Sequence, residues 1–125
     1  MTAKAAPGLG PLHGVRVIDL TQYVLGPYAT QTLGDLGADV IKIEEPSGDR
    51  QRNQGKAPKS TTMGPLFVAL NRNKRSVAID LKSEPGKRAL QKLVRSGDIF
   101  IHNMRPEALA RLGFEVRKVA GVPPK

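Results

Sequence analysis

The pattern that most narrows what this chain can fold into is a strand, a helix and a second strand compressed between residues 15 and 44. Val15 to Leu20 (Val-Arg-Val-Ile-Asp-Leu) is a short β-branched run, the composition that suits a pleated, packed surface. A loop from Thr21 to Gly26 follows, then Pro27, whose fixed φ suits the first position of a helix, with Gly26 expected as its N-cap. The spacing predicts a helix over Pro27 to Leu36 with Ala29, Leu33 and Leu36 on one face, ended by Gly37, a residue free to take the left-handed conformation. Asp39 to Glu44 (Asp-Val-Ile-Lys-Ile-Glu) reads as the second strand. Two strands joined through a helix are expected to be parallel, with a right-handed crossover.

The same logic returns further along. Residues 46–65 are rich in Gly, Pro, Ser and Lys without apolar periodicity and read as a mobile, basic loop. After a short apolar run, Leu66 to Leu70, the polar turn Asn71-Arg72-Asn73-Lys74-Arg75 leads to a third strand, Ser76 to Leu81. Ser83 is the expected N-cap of a helix over Glu84 to Ser96, with Ala89, Leu90, Leu93 and Val94 inward and Lys87, Arg88, Lys92 and Arg95 outward, stopped by Gly97. Asp98 to His102 is a fourth strand, and Arg105-Pro106 opens a short helix to Leu112, closed by Gly113. The fold class expected is α/β: a Rossmann-like parallel sheet built from two strand-helix-strand units over residues 13–114, after a flexible leader at 1–12 and before an irregular tail at 115–125.

Composition excludes several kinds of chemistry. Absence of cysteine removes a disulfide framework, a thiolate nucleophile and a Cys-based zinc site, and a reducing, cytoplasmic setting fits. The only imidazoles are His13 and His102, without His-x-x-x-His spacing, so no metal site is expected. No apolar run approaches the ~20 residues needed to span a bilayer. Gly-x-Gly-x-x-Gly after the first strand, Gly-x-x-x-x-Gly-Lys-Ser/Thr and Gly-x-Ser-x-Gly are all missing, which argues against a dinucleotide, a P-loop or a serine-hydrolase reading.

The net charge of +9 is uneven: residues 1–49 hold three basic and six acidic side chains, residues 50–125 seventeen and five. That basic part suits an anionic partner. The five aromatics (Tyr23, Tyr28, Phe67, Phe100, Phe114) do not interleave with the basic residues, so a small nucleic-acid-binding module is the weaker alternative to a cofactor's phosphates. Ligands of open parallel sheets bind at the carboxyl ends of the strands. Three segments lie there: Gln22 to Gly26, Leu81-Lys82, and Asn103 to Arg105, with Lys82, Asn103 and Arg105 clustering at that edge. Asp39 and Asp98 begin strands at the opposite edge and read as capping or solvated residues. Asp19 and Asp80 stand near strand ends without a neighbouring His or second acid.

Four stretches together resemble the family III CoA-transferases, which include formyl-CoA and carnitine CoA-transferases and, by descent, the α-methylacyl-CoA racemases. They are Leu12 to Leu20 running on to Gly26-Pro27; Leu36 to Glu44 with Gly48-Asp49; Asn71 to Lys82; and Asn103-Met104-Arg105-Pro106 with Arg111-Leu112-Gly113-Phe114. The resemblance implies a large domain that binds coenzyme A, or its acyl thioester, along the strand-end edge. Carried over by position, Tyr23, Val24 and Leu25 would line the adenosine and pantetheine path, Ile79 and Lys82 would flank it, and Asn103, Met104, Arg111 and Leu112 would close it. Lys82 and Arg111 would meet phosphate. Some members place an arginine where this chain has Glu45, a contact that Arg50 or Arg52 would replace.

In the family a nucleophilic aspartate attacks the acyl-CoA thioester, forming an anhydride and then an aspartyl-CoA thioester from which a carboxylic acid acceptor is acylated. No aspartate of this sequence matches that motif, so the resemblance implies an N-terminal, CoA-binding portion without its nucleophile, a truncated or frameshifted frame. Transferase and racemase are not separated by these residues. The family forms interlocked homodimers, which is the assembly implied for the full-length protein.

Overall fold

The computed structural model describes residues 10–55 and 63–114. Its centre is a four-stranded, all-parallel sheet in the order β3-β2-β1-β4. The strands are β1 (Arg16–Leu20), β2 (Asp39–Glu44), β3 (Lys74–Ala78) and β4 (Ile99–His102), and the helices between and after them are α1 (Leu25–Asp35), α2 (Pro65–Asn71), α3 (Glu84–Ser96) and α4 (Pro106–Arg111). A 3-10 turn, Arg50–Arg52, stands between β2 and α2. The Rossmann-like α/β class expected from the sequence is therefore the class observed.

Because successive side chains of a strand point to opposite faces, the sheet has two different sides. On one, Ile18, Leu20, Ile41 and Ile43 pack with Ile79, Leu90, Leu109 and Phe114, and Val77, Leu93, Val94 and Phe100 close the margin. On the other, the apolar layer is small: Val17, Ala38 and Val40 with Leu12, Val15, Leu33 and Ile101. Beyond it the strands carry Asp19, Lys42 and Glu44, all buried. Leu12 donates its N–H to the Leu36 carbonyl at 2.9 Å, so the chain from Gly10 on is held against the fold.

Several local expectations shift. Helix α1 begins at Leu25, two residues before Pro27, with Val24 rather than Gly26 as N-cap. Pro27 is tolerated there because N–H groups of the first turn have no intrahelical acceptor. Its buried residues are Pro27, Thr30 and Gln31, whereas Ala29 and Leu36 are exposed and Leu33 is half-buried. The reason lies opposite: α1 covers the part of the sheet that carries Asp19, and a polar face is what can satisfy it. Gly37 does follow α1 with φ 99°.

The third strand starts at Lys74 and ends at Ala78, not Ser76 to Leu81, since Asn73 leaves the preceding turn in the left-handed region (φ 61°) and Lys74 already pairs with Val40. Pairing persists one step further, through the Ile79 N–H to the Glu44 carbonyl at 2.9 Å. The apolar run Leu66 to Leu70 is helix α2, which buries Phe67 and Leu70 one turn apart. On α3, Leu90 is fully buried and Leu93 and Val94 partly, but Ala89 is exposed. Ser83 caps α3 as expected, its hydroxyl accepting from the Gly86 N–H at 3.1 Å. Of the basic loop, residues 56–62 lie outside the described residues, as do residues 1–9 and the tail 115–125.

Candidate functional site

The chain runs β1, β2, β3 outward in one direction and then returns to place β4 on the other side of β1. The crevice at the carboxyl ends of β1 and β4 is thus the point where strand order reverses, the place where open α/β sheets leave room for a ligand. Asn103 spans it. Its amide nitrogen donates to the Gln22 carbonyl at 2.7 Å and its Oδ1 accepts the Gln22 N–H at 3.0 Å, so one side chain fastens the turn after β4 to the turn after β1.

That first turn is tightly built. Thr21 is buried, and both its N–H (2.9 Å) and hydroxyl (2.5 Å) donate to Asp19. Gly26 lies over it: a Cβ there would overlap the Thr21 side chain, so only glycine fits. Tyr23 takes φ 68°, an unfavourable conformation for a large side chain and one that gathers at functional turns. The result is an exposed apolar shelf of Tyr23, Val24, Leu25 and Tyr28, with Leu25 81% exposed.

Beside the shelf, at the end of β2, is a pocket of about 250 Å³ lined by Gln22, Ile43, Glu44, Glu45 and the turn Ser47 to Arg50. Asp49 caps the 3-10 turn by accepting the Gln51 N–H at 2.9 Å. Arg52 is committed elsewhere: it clasps Glu44 through two bonds of 2.7 and 2.8 Å and lies 3.9 Å over the Phe67 ring. Burial opposes ionisation of Glu44, but Arg52, the Ser76 hydroxyl and the Asp49 N–H together outweigh it and lower its pKa to about 2. Arg50, in contrast, has no ion pair among the described residues and reaches the Tyr23 hydroxyl at 3.4 Å. Of the two arginines expected to replace the missing cation, only Arg50 lines the pocket without an acidic partner among the described residues.

The other expected site residues divide into groups. Tyr23, Val24, Leu25 and Asn103 meet at the β1 and β4 turns. Ile79 is buried in the aliphatic core, with Met104 and Leu112 packed against it. Lys82 and Arg111 are exposed, and Lys82 follows β3, which β2 and β1 separate from β4. Asp19 is wholly buried and receives Thr21, Thr30 (2.6 Å) and Lys74 (3.1 Å), leaving it no path to a substrate. Asp39 pairs with Arg16 and Arg75, and Asp98 accepts the Arg16 N–H, so both strand-opening aspartates are structural. Among the described residues no three His, Asp or Glu side chains are placed to hold a metal, and no helix is long and apolar enough to cross a membrane.

Sequence reasoning missed the pocket turn and the buried Lys42. The signal was available, because strands buried on both faces read as unbroken apolar runs. A lysine within Val-Ile-Lys-Ile requires a buried partner.

Residues 12–125 match the family described as CoA-transferase family III. The chain belongs to that family. It is 41% identical over 115 residues to a succinyl-CoA:glutarate CoA-transferase of Mus musculus, covering 91% of this chain and 26% of that protein. It is 43% identical over 126 residues to a formyl-CoA:oxalate CoA-transferase of Streptomyces coelicolor, covering 100% and 29%. Among solved structures, a CaiB/BaiF family protein from Brucella suis superposes with a TM-score of 0.85 at 35% identity over 94% of this chain and 32% of that one. Rv3272 of Mycobacterium tuberculosis gives 0.82 at 37% identity, over 90% and 32%. The chain spans between a quarter and a third of the length of these family III relatives.

Proposed function

We propose that this chain is the coenzyme-A-binding portion of an acyl-CoA:carboxylate CoA-transferase and does not itself supply the nucleophilic carboxylate. The observation that carries the reading is the crevice where strand order reverses, fastened by the Asn103–Gln22 clamp and flanked by an apolar shelf and by Arg50, which has no acidic partner among the described residues. An apolar shelf beside a guanidinium matches a ligand that is partly apolar and phosphorylated. Tyr23, Val24 and Leu25 line its path, and Arg50, Lys82 and Arg111 supply positive charge for the phosphates. Acyl-CoA and a carboxylic acid are the substrates of the whole protein, which acts as a homodimer.

Titration calorimetry with CoA and with pantetheine tests this. CoA binding that weakens with added salt, and weakens further when pantetheine replaces CoA, is the expected result. No heat with millimolar CoA, or equal affinity for both compounds, would overturn it. Exchange of an acyl group between CoA and a free acid by the purified chain would overturn the claim that the nucleophile lies elsewhere.

A further inference from the structure

Resting on that reading of the crevice as a coenzyme A site, we infer that Lys42 is a positioning residue which holds the two ligand-lining turns in a single register. Its side chain is 1% exposed, and the ammonium touches both turns. Nζ donates to the Thr21 carbonyl at 3.1 Å and pairs with Asp49 Oδ2 at 2.8 Å. Thr21 is the root of the turn that carries Gln22 and Tyr23. Asp49, itself 2% exposed at its side chain, sits in the turn that carries Arg50. The contact between Arg50 and the Tyr23 hydroxyl is the outward consequence of this internal tie.

Stability alone does not account for such a pair. Taking two charges out of water carries a desolvation cost that can exceed their attraction, and apolar replacements of both partners are often neutral or stabilising. What this arrangement provides that an apolar contact does not is an obligatory partner on each turn: a directional bond to Thr21 and a close ion pair with Asp49, whose Oδ2 has no hydrogen-bond partner among the described residues. The ammonium fits only where an acceptor from each turn converges on it, so a shift of either turn leaves a buried charge without its partner. A ligand then meets walls already in place and loses less affinity to ordering them.

The test uses the 125-residue chain with Lys42→Met/Asp49→Asn, which removes both charges at similar volume and keeps the Oδ1 that caps the 3-10 turn. The double variant is expected to stay folded by circular dichroism, to bind CoA about tenfold more weakly, and to exchange its Gly48 to Arg50 amides faster while core amides of β1 and β2 hold. Asp49→Asn alone, which leaves the Lys42 ammonium buried beside neutral groups only, is expected to show the same changes to a larger degree with a loss of stability. If the double variant does not fold, Lys42→Arg, which keeps the charge but not the fit to both turns, is read by the same two measurements. Ile18→Val, a core change remote from both turns, should lower the melting temperature with CoA affinity unaltered. A double variant within about twofold of the parent affinity, with Gly48 to Arg50 exchange unchanged, would overturn the role of Lys42 alone. Absence of CoA binding by the parent chain would instead overturn the site reading, and this role with it.

Discussion

The two faces of the sheet are made by the same four strands, yet they solve different problems. The α3 and α4 side is aliphatic from Ile18 to Phe114, with ion pairs of Asp39 to Arg16 and Arg75 only at its partly exposed amino edge, and its cohesion is area removed from water, which is non-directional. The α1 and α2 side begins apolar at Val17 and Val40 and turns ionic toward the carboxyl ends of β1 and β2, where Asp19, Lys42, Glu44 and Asp49 are concentrated and the Lys74 ammonium reaches in from the start of β3. Directional contacts therefore cluster at the end of the sheet where the turns after β1 and β2 emerge. One face holds the domain together, and the other specifies where those turns stand.

The sharpest way to break this contrast is to remove one charge from the ionic face. Asp19→Ala leaves the Lys74 ammonium buried with only neutral acceptors, the Pro27 carbonyl, Thr30 and Asn71. The expected loss is about 4 kcal/mol in urea unfolding. Burial already lowers the pKa of Lys74, against the pull of Asp19 in the other direction. Without Asp19 that depression deepens, so the unfolded chain binds more protons and the penalty shrinks as pH rises toward the ordinary lysine range. A loss independent of pH would break the electrostatic account. On the aliphatic face Leu90→Ala, whose cluster holds apolar side chains alone, is expected to cost about 3 kcal/mol without the rise toward alkaline pH that Asp19→Ala shows.

The fold was legible because its signals are local: β-branched runs, Ser83 before a helical pattern, Gly37 after one. The helix starts were less so, since Gly26 is required by its contact with Thr21, a packing constraint invisible to propensity. The stretch Asn71 to Arg75, legible only as a polar turn, is a clasp. Arg72 and Asn73 hold Asp35, Lys74 holds Asp19 and Arg75 holds Asp39. The acidic excess of residues 1–49 thus finds much of its complement inside the fold, which a charge count along the chain has no means of seeing. The pocket escaped for a related reason: it is formed where Gln22 and Ser47 to Arg50 converge, and their convergence depends on β1 and β2 being neighbours.

Glu44 sharpens the comparison at smaller magnitude. Its folded pKa, about 2, lies below the ordinary 4.5. A depressed carboxylate contributes stability that is fully present above the unfolded value and is lost as pH falls through the folded one. The acid limb of the stability curve should therefore fall between about pH 4.5 and pH 2. Glu44→Gln, expected to cost about 2 kcal/mol at neutral pH through weakened bonds to Arg52 and Ser76, should flatten that limb, and the two curves should meet near its foot. Parallel curves would show that other carboxylates carry the acid transition.

The smallest expected effect tests independence of the faces directly. Ser83 caps α3 by accepting from the Gly86 N–H while its hydroxyl donates to the Asp80 carbonyl at 2.8 Å. Ser83→Ala should cost about 1 kcal/mol, and none of its partners belongs to the ionic layer. If the two faces are separate energetic units, Ser83→Ala and Asp19→Ala combined should lose the sum of their separate costs to within about 0.5 kcal/mol. A larger coupling would mean that the end of β3, which joins Glu44 through Ile79 and leads into α3 through Asp80 and Ser83, transmits the ionic geometry across the sheet. In that case the aliphatic side would also help set the position of the turns after β1 and β2, and the division of labour between the faces would have to be redrawn at that strand end.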